Sequence, residues 1–212
     1  MPASFRRVLF SAAGGYLLGA IPTGVIVGRL AAGIDVRQYG SRVSGATNVL
    51  RSAGPGAAAA TFFGDTAKGY VAARFGSRLQ GDWGAVAAST GAAVGHSWPA
   101  FAGFQGGRSV LSCWGSLLAL DAPSAVAAAA GGGLTVASTR YVSLGALTGV
   151  TVAAVGAALR ARDRSPRGAV FASFALGFLV LRHRDNLERL RRGEEHRLGE
   201  RVEASASNGA TF

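Results

Sequence analysis

The 212-residue sequence contains one cysteine, Cys113, so it can form no intrachain disulfide and no cysteine-ligated metal cluster. Charge is also scarce, at 16% of residues against roughly a quarter in an ordinary soluble domain. With 49% hydrophobic residues and a mean hydropathy of +0.29, that shortage excludes a soluble enzyme wrapped in a charged shell. Lysine is almost missing: Lys68 stands alone beside twenty-one arginines. Together with 32 glycines and abundant alanine, this reads as the bias of a GC-rich genome and indicates no function.

What is present is a succession of apolar segments. A spanning helix needs roughly 20 mostly apolar residues, and seven stretches approach that length: 8–27, 56–75, 84–104, 110–120, 123–138, 142–159 and 168–181. The expected fold is therefore all-α, a polytopic membrane protein with about seven transmembrane helices. Because the fourth and seventh stretches are short, five spans is the alternative. The N-terminal Arg6-Arg7 and apolar run resemble a signal peptide, yet no convincing cleavage site precedes Arg29, so a retained first helix is expected. Residues 1–181 read as one membrane domain and 182–212 as a basic cytoplasmic tail with a disordered end.

The net charge of +11 does not imply nucleic-acid binding, because the arginines sit at the ends of apolar segments, as suits a protein facing anionic lipid. Counting alternate loops puts thirteen arginines (Arg29 to Arg51, Arg108, Arg140 and the tail from Arg182) on one side and eight on the other. By the positive-inside rule the first set is cytoplasmic and the N-terminus is outside. The run Arg160 to Arg167 opposes that bias. With this topology every loop rich in Gly, Ser, Thr, Asn, His and Arg shares one face.

Four stretches on that face could carry chemistry. Residues 40–51 combine small residues, hydroxyls and Arg51, a composition that can cradle phosphate, although alone it is equally a capped polar turn. Gly106-Gly107-Arg108 before the fourth segment forms a second such cradle, and Arg140-Tyr141-Val142-Ser143 adds a further cation. His183 and Asn186 lie one helical turn apart beside Arg182. Within the apolar segments, Asp65 and Lys68 suggest an ion pair fixing helix packing, and His96 alone reads as a helix-end histidine.

Taken in order, Gly19-Ala20-Ile21-Pro22-Thr23-Gly24, Gly33-Ile34-Asp35-Val36-Arg37, Gly45-Ala46-Thr47-Asn48-Val49-Leu50-Arg51, Asp65-Thr66-Ala67-Lys68-Gly69, Gly95-His96 through Arg108, Arg140 through Gly145 and Arg182-His183-Arg184-Asp185-Asn186 resemble the bacterial acyl-phosphate-dependent glycerol-3-phosphate acyltransferases. The resemblance runs from about Gly19 to Gly199. It implies transfer of a fatty acyl group from acyl phosphate to the first hydroxyl of glycerol 3-phosphate, giving lysophosphatidate and phosphate, the first step of phospholipid synthesis. It implies no metal and no cofactor, membrane lipid as surroundings, a bacterial plasma membrane with the site facing the cytoplasm, and leaves monomer or homodimer open. By the same resemblance His183, Asn186 and Ser41 are catalytic, and Thr47, Asn48, Arg51, Lys68, His96, Gly106, Gly107, Arg108, Arg140, Ser143 and Arg182 bind substrate. The attacking hydroxyl can lose its proton to the substrate's own phosphate, so no general base is assigned.

Two loops depart from the family pattern. Its Ser-Gly-Asn-Ile-Gly is Ser41-Arg42-Val43-Ser44-Gly45 here, and its Lys-Gly-Gly-Lys-Gly-Val is Gln105-Gly106-Gly107-Arg108-Ser109-Val110. A divergent member with altered or lost substrates is thus the alternative reading, and a small transporter using Asp65 and Lys68 a further one.

Overall fold

The computed structural model describes residues 3–161 and 166–200. The centre of the opposing arginine run, Arg162 and Arg164, and the tail end expected to be disordered lie outside the described residues. The described chain is helical, with eight α-helices: α1 (Ala3–Gly19), α2 (Thr23–Ala32), α3 (Ala46–Ser97), α4 (Val110–Leu120), α5 (Ala122–Thr139), α6 (Val142–Arg160), α7 (Arg167–Arg182) and α8 (Arg184–Arg192).

All seven apolar stretches lie largely in helix, with two differences from expectation. The first is broken, because Pro22 has no N–H to donate and helix geometry lapses between Gly19 and Thr23. The Ile21 carbonyl beside this break accepts from the Thr23 N–H at 2.9 Å and from Lys68 Nζ at 3.1 Å. The third ends early, at Ser97, where Trp98-Pro99 turns the chain into a short 3-10 turn at Ala100–Ala102. The 52-residue α3 is bent at Gly54 (φ 87°), before Pro55, and reverses at Gln80-Gly81 (φ 56° at Gly81), so its last third runs back along the second. Ser4–Ala32 and Val142–Arg160 are long and apolar enough to cross a bilayer by themselves. At 11 residues α4 rises about 16 Å, half the hydrocarbon thickness.

Helices in lipid gain little from the hydrophobic effect and rely on close contact instead. Small residues provide it. Gly15 and Gly19 of α1 lie on Ala88 and Ala92 of α3, Gly69 and Gly115 seal α3 against α4, and Gly132 of α5 meets Gly145 and Gly149 of α6. A Cβ at any of these glycines would run into the neighbouring helix. A core around Phe171, Leu179, Leu117 and Ala153 fills the space among α4 to α7. At one end of the bundle, Asp121 caps α5 and pairs with Arg160, while Arg167 pairs with Asp82 at 2.7 Å. The other end gathers the start of α3, the starts of α4 and α6, and the α7–α8 junction.

Candidate active site at the junction of four helix ends

The loop from Asp35 to Gly45 owes its shape to Asn48, which is 1% exposed. Its amide nitrogen donates to the carbonyls of Val36, Tyr39 and Val43 at 2.7, 3.1 and 2.9 Å, and its oxygen accepts from the Ser41 N–H at 3.0 Å. Asn48 is thus committed to the loop itself. Arg37 grips Asp35 through two bonds of 2.9 and 2.7 Å and holds that carboxyl below the usual range. It also donates to the Ala102 carbonyl at 2.6 Å, tying this loop to the turn after α3.

The second loop is built on His96. Gly107 N–H donates to the His96 carbonyl at 3.0 Å, and both Gly106 and Gly107 sit so close to this residue that a side chain on either would collide with it. His96 Nδ1 lies 3.5 Å from Asp65 Oδ1, which in turn lies 2.9 Å from Lys68 Nζ. A three-member polar chain therefore supports the loop from below.

Arg42 and Ser109, at the two departures from the family pattern, have φ of +56° and +65°. These are left-handed positions, where glycine is the easy residue. The loops keep a glycine-type path although the glycines are gone. Ser109 is held there by its hydroxyl, which donates to the Ala93 carbonyl at 2.6 Å.

At the α7–α8 junction His183 is 2% exposed, and its Nδ1 lies 2.8 Å from the Leu179 carbonyl, a contact that requires the proton on Nδ1. Burial pushes the imidazole down to about 4, so the ring is neutral at pH 7. Asn186 Nδ2 donates to Glu195 at 2.7 Å, and Arg189 pairs with the same carboxylate at 2.8 Å. Burial would raise the Glu195 carboxyl, but these bonds outweigh it and hold it low. Glu195 reaches this position because Gly193, with φ of 72°, ends α8 and turns the chain back. Leu198 N–H then donates to the Arg140 carbonyl at 2.7 Å, while the Arg140 guanidinium donates to the Leu198 carbonyl at 2.7 Å.

These elements enclose a cavity of about 260 Å³. Of the residues expected from the sequence, Ser41, Thr47, Asn48, Arg51, His96, Arg108, Ser143, His183 and Asn186 line it. Burial pushes the Arg108 guanidinium down to about 10, leaving it charged at neutral pH. Arg51 is half-buried, with one terminal nitrogen on the Arg197 carbonyl at 3.3 Å and its Nε without a partner. Asn186 Oδ1 is likewise buried without a partner. The cavity thus offers the Arg51 and Arg108 guanidinium groups, unengaged polar atoms and the neutral His183 imidazole, a set suited to a phosphorylated, hydroxyl-bearing ligand.

The remaining five expected residues stand behind the wall. Lys68 serves Asp65 and Ile21, Gly106 and Gly107 pack on His96, Arg140 holds Leu198, and Arg182 donates to the Gly107 carbonyl at 3.1 Å and covers the Trp98 ring at 4.8 Å. Glu195 and Arg189 also line the cavity and were not singled out by the sequence. The available signal was Gly193, a helix-ending residue placed just before Glu194-Glu195. Among the described residues no group of three or more His, Cys, Asp or Glu could hold a metal ion.

A second, apolar cleft of about 320 Å³ lies between α4, α5 and α6. It shares Phe62, Val110, Leu111, Val142 and Ala146 with the polar cavity. The two cavities are therefore neighbours along this wall, one polar and one apolar.

The family model for glycerol-3-phosphate acyltransferase matches residues 9–193. The glycerol-3-phosphate acyltransferase of Symbiobacterium thermophilum is 46% identical over 186 residues, covering 87% of this chain and 92% of the relative. That of Synechococcus sp. (strain JA-3-3Ab) is 44% identical over 203 residues, covering 95% and 98%. The crystal structure of PlsY (YgiH), an integral membrane glycerol 3-phosphate acyltransferase, in its glycerol 3-phosphate form matches with a TM-score of 0.82 at 30% identity, covering 93% of this chain and 96% of that one. Its lysophosphatidic acid form matches with the same TM-score at 31% identity, covering 91% and 95%.

Proposed function

The chain belongs to the glycerol-3-phosphate acyltransferase family, and we propose that it transfers a fatty acyl group from acyl phosphate to the 1-hydroxyl of glycerol 3-phosphate. One observation carries this reading. A cationic cavity lies against an apolar cleft, with five lining residues common to both, and a long-chain acyl phosphate needs both environments side by side.

In the reaction, the hydroxyl oxygen of glycerol 3-phosphate forms a bond to the acyl carbonyl carbon while the bond from that carbon to the phosphate oxygen breaks. The hydroxyl proton leaves to a phosphate oxygen, and inorganic phosphate departs with the electron pair of the broken bond. The mixed anhydride is already activated, so the protein's part is placement and charge neutralisation. Arg51 and Arg108 neutralise the phosphates, Ser41 and Thr47 offer hydroxyls, and Asn186 Oδ1 offers an acceptor. With its Nδ1 proton on Leu179, His183 presents a neutral Nε2 that accepts from the attacking hydroxyl and orients it. Its pKa of about 4 makes the ring a weak base, which favours the substrate phosphate as the proton's destination.

We place the enzyme as a multi-pass protein of a bacterial plasma membrane, with a membrane domain over 1–181, about seven transmembrane helices of which α4 is a half-length one, the N-terminus outside and the site facing the cytoplasm. The glycine-type backbone at Arg42 and Ser109 supports retention of the family reaction over a changed one. The grouping of polar residues at one end of the bundle argues against a transporter, whose site belongs at the midplane.

The test is phosphate release by purified protein from palmitoyl phosphate, with and without glycerol 3-phosphate, alongside detection of lysophosphatidate. Release that depends on glycerol 3-phosphate is expected. Folded protein that releases none from any acyl phosphate would overturn the assignment.

A further inference from the structure

Three consecutive glycines interrupt α5, Gly131, Gly132 and Gly133. Glycine weakens a helix relative to alanine, and what surrounds each of the three differs. At Gly132 a Cβ would press on the carbonyl of Gly145 at 2.7 Å. At Gly131 a Cβ would approach Val152 Cγ2 at 3.0 Å, again a tight helix contact. Gly133 has no such neighbour: a Cβ there would meet nothing within 4 Å, and φ at this position is not in the left-handed range. Neither backbone shape nor helix packing calls for glycine at 133.

Gly133 does line the apolar cleft. The cleft's polar mouth is marked by Val142, which it shares with the cationic cavity, and its α5 wall runs from Val136, against Gly145, down to Ala128, against Gly149. That wall covers two helical turns, about 12 Å, and Gly133 sits nearly one turn below Val136. A short acyl group bound by its phosphate at the mouth ends above this level. A long one must pass it.

We propose that Gly133 sets the acyl-chain selectivity of the enzyme by leaving the cleft open at mid-depth for long chains. The proposal rests on the acyltransferase reading above and adds a specificity-determining position to it. The empty volume beside Gly133 belongs to the acyl chain, which takes the place of the side chain this helix omits. Replacing Gly133 by a large apolar residue fills that volume without displacing protein atoms.

The experiment compares wild type, Gly133→Ala and Gly133→Leu in the same lipid, measuring phosphate release from butyryl, octanoyl, lauroyl and palmitoyl phosphate at saturating glycerol 3-phosphate. For Gly133→Leu the KM for palmitoyl and lauroyl phosphate should rise roughly tenfold or more, in keeping with the selectivity a few buried methylenes provide. Its KM for butyryl phosphate and for glycerol 3-phosphate should not change, and its thermal midpoint should not fall below that of wild type. Gly133→Ala should show an intermediate profile. A Gly133→Leu enzyme with the wild-type chain-length profile overturns the role of Gly133 while leaving the acyltransferase reading intact. Equal loss on short and long donors also overturns it, because it would mark a general defect. Wild-type protein inactive on all four donors overturns both.

Discussion

The hydroxyls of Ser97 and Ser109 lie 2.8 Å apart and both residues are buried, joining the last residue of α3 to the residue before α4. Ser109 also donates to the Ala93 carbonyl. Replacing Ser109 by glycine, the family residue, removes a left-handed penalty of roughly 1 kcal/mol but breaks these bonds and strands Ser97, which costs about 1–3 kcal/mol. Ser109→Gly should therefore lower the thermal midpoint. Adding Ser97→Ala should restore most of the loss, and an unrecovered double variant would show that this pair does not stabilise the loop.

Arg51 and Arg108 line the cavity, and Arg51 Nε has no partner there. A charge-assisted bond to phosphate contributes roughly 1.5–3 kcal/mol, so Arg51→Ala and Arg108→Ala should each reduce kcat/KM by about tenfold or more. Arg108→Lys, which restores the family residue, should retain much of the activity. Unchanged steady-state kinetics in both alanine variants would remove these arginines from the site.

The buried His183 ring makes stability depend on pH. Its unfolded value is 6.5 and its folded value about 4, so the folded state prefers the neutral ring. The stability this provides is fully present above pH 6.5 and is lost as pH falls through about 4, by up to roughly 3 kcal/mol. Glu195, also held low, adds its own loss only below about 4.5, and because His96 and His196 are common to wild type and His183→Asn, the difference between the two proteins in the interval above that pH isolates the His183 ring. Thermal unfolding across this interval should weaken in wild type and stay flatter in His183→Asn, whose amide can still donate to Leu179.

In the first loop, Arg42 holds φ of +56° where the family has glycine. The double change Arg42→Gly and Val43→Asn should preserve or raise turnover with acyl phosphate and glycerol 3-phosphate, since glycine adopts this conformation freely. A marked fall in turnover, with the protein folded, would indicate a loop reshaped for another substrate.

Gln105 and Gly193 are exposed on the cavity end of the bundle. Single cysteines at both positions, in a Cys113→Ala background, should stay unlabelled by an impermeant thiol reagent in intact cells and react once the membrane is opened. Labelling of either from outside would reverse the proposed orientation.

Much of this was legible in the sequence because apolar length and motif order survive folding. The seven apolar stretches are helical, and Arg51, Arg108, Ser143, His183 and Asn186, spread over 136 positions, meet around one cavity. Direction was harder to read. Lys68, Arg140 and Arg182 advertise charge, but nothing local reveals that each would turn to a protein carbonyl, at Ile21, Leu198 and Gly107. Asn48 was expected to bind substrate by the family resemblance alone, and the three carbonyls it gathers become its partners only once the loop closes. The Ile21 carbonyl beside the break at Pro22 likewise takes a lysine 47 positions away, a partner that nothing local foretells.

The return of the chain after α8 has a consequence for biosynthesis. His183, Asn186 and Glu195 all follow α7, and the Arg140–Leu198 pair fastens the returning segment to the start of α6. A nascent chain inserted as far as α7 already owns the apolar cleft and both arginine-bearing loops, yet its polar cavity still lacks one wall. Only when the residues past Gly193 have left the ribosome can Glu195 engage Asn186 and Arg189. The apolar cleft is thus laid down before the polar cavity beside it can close.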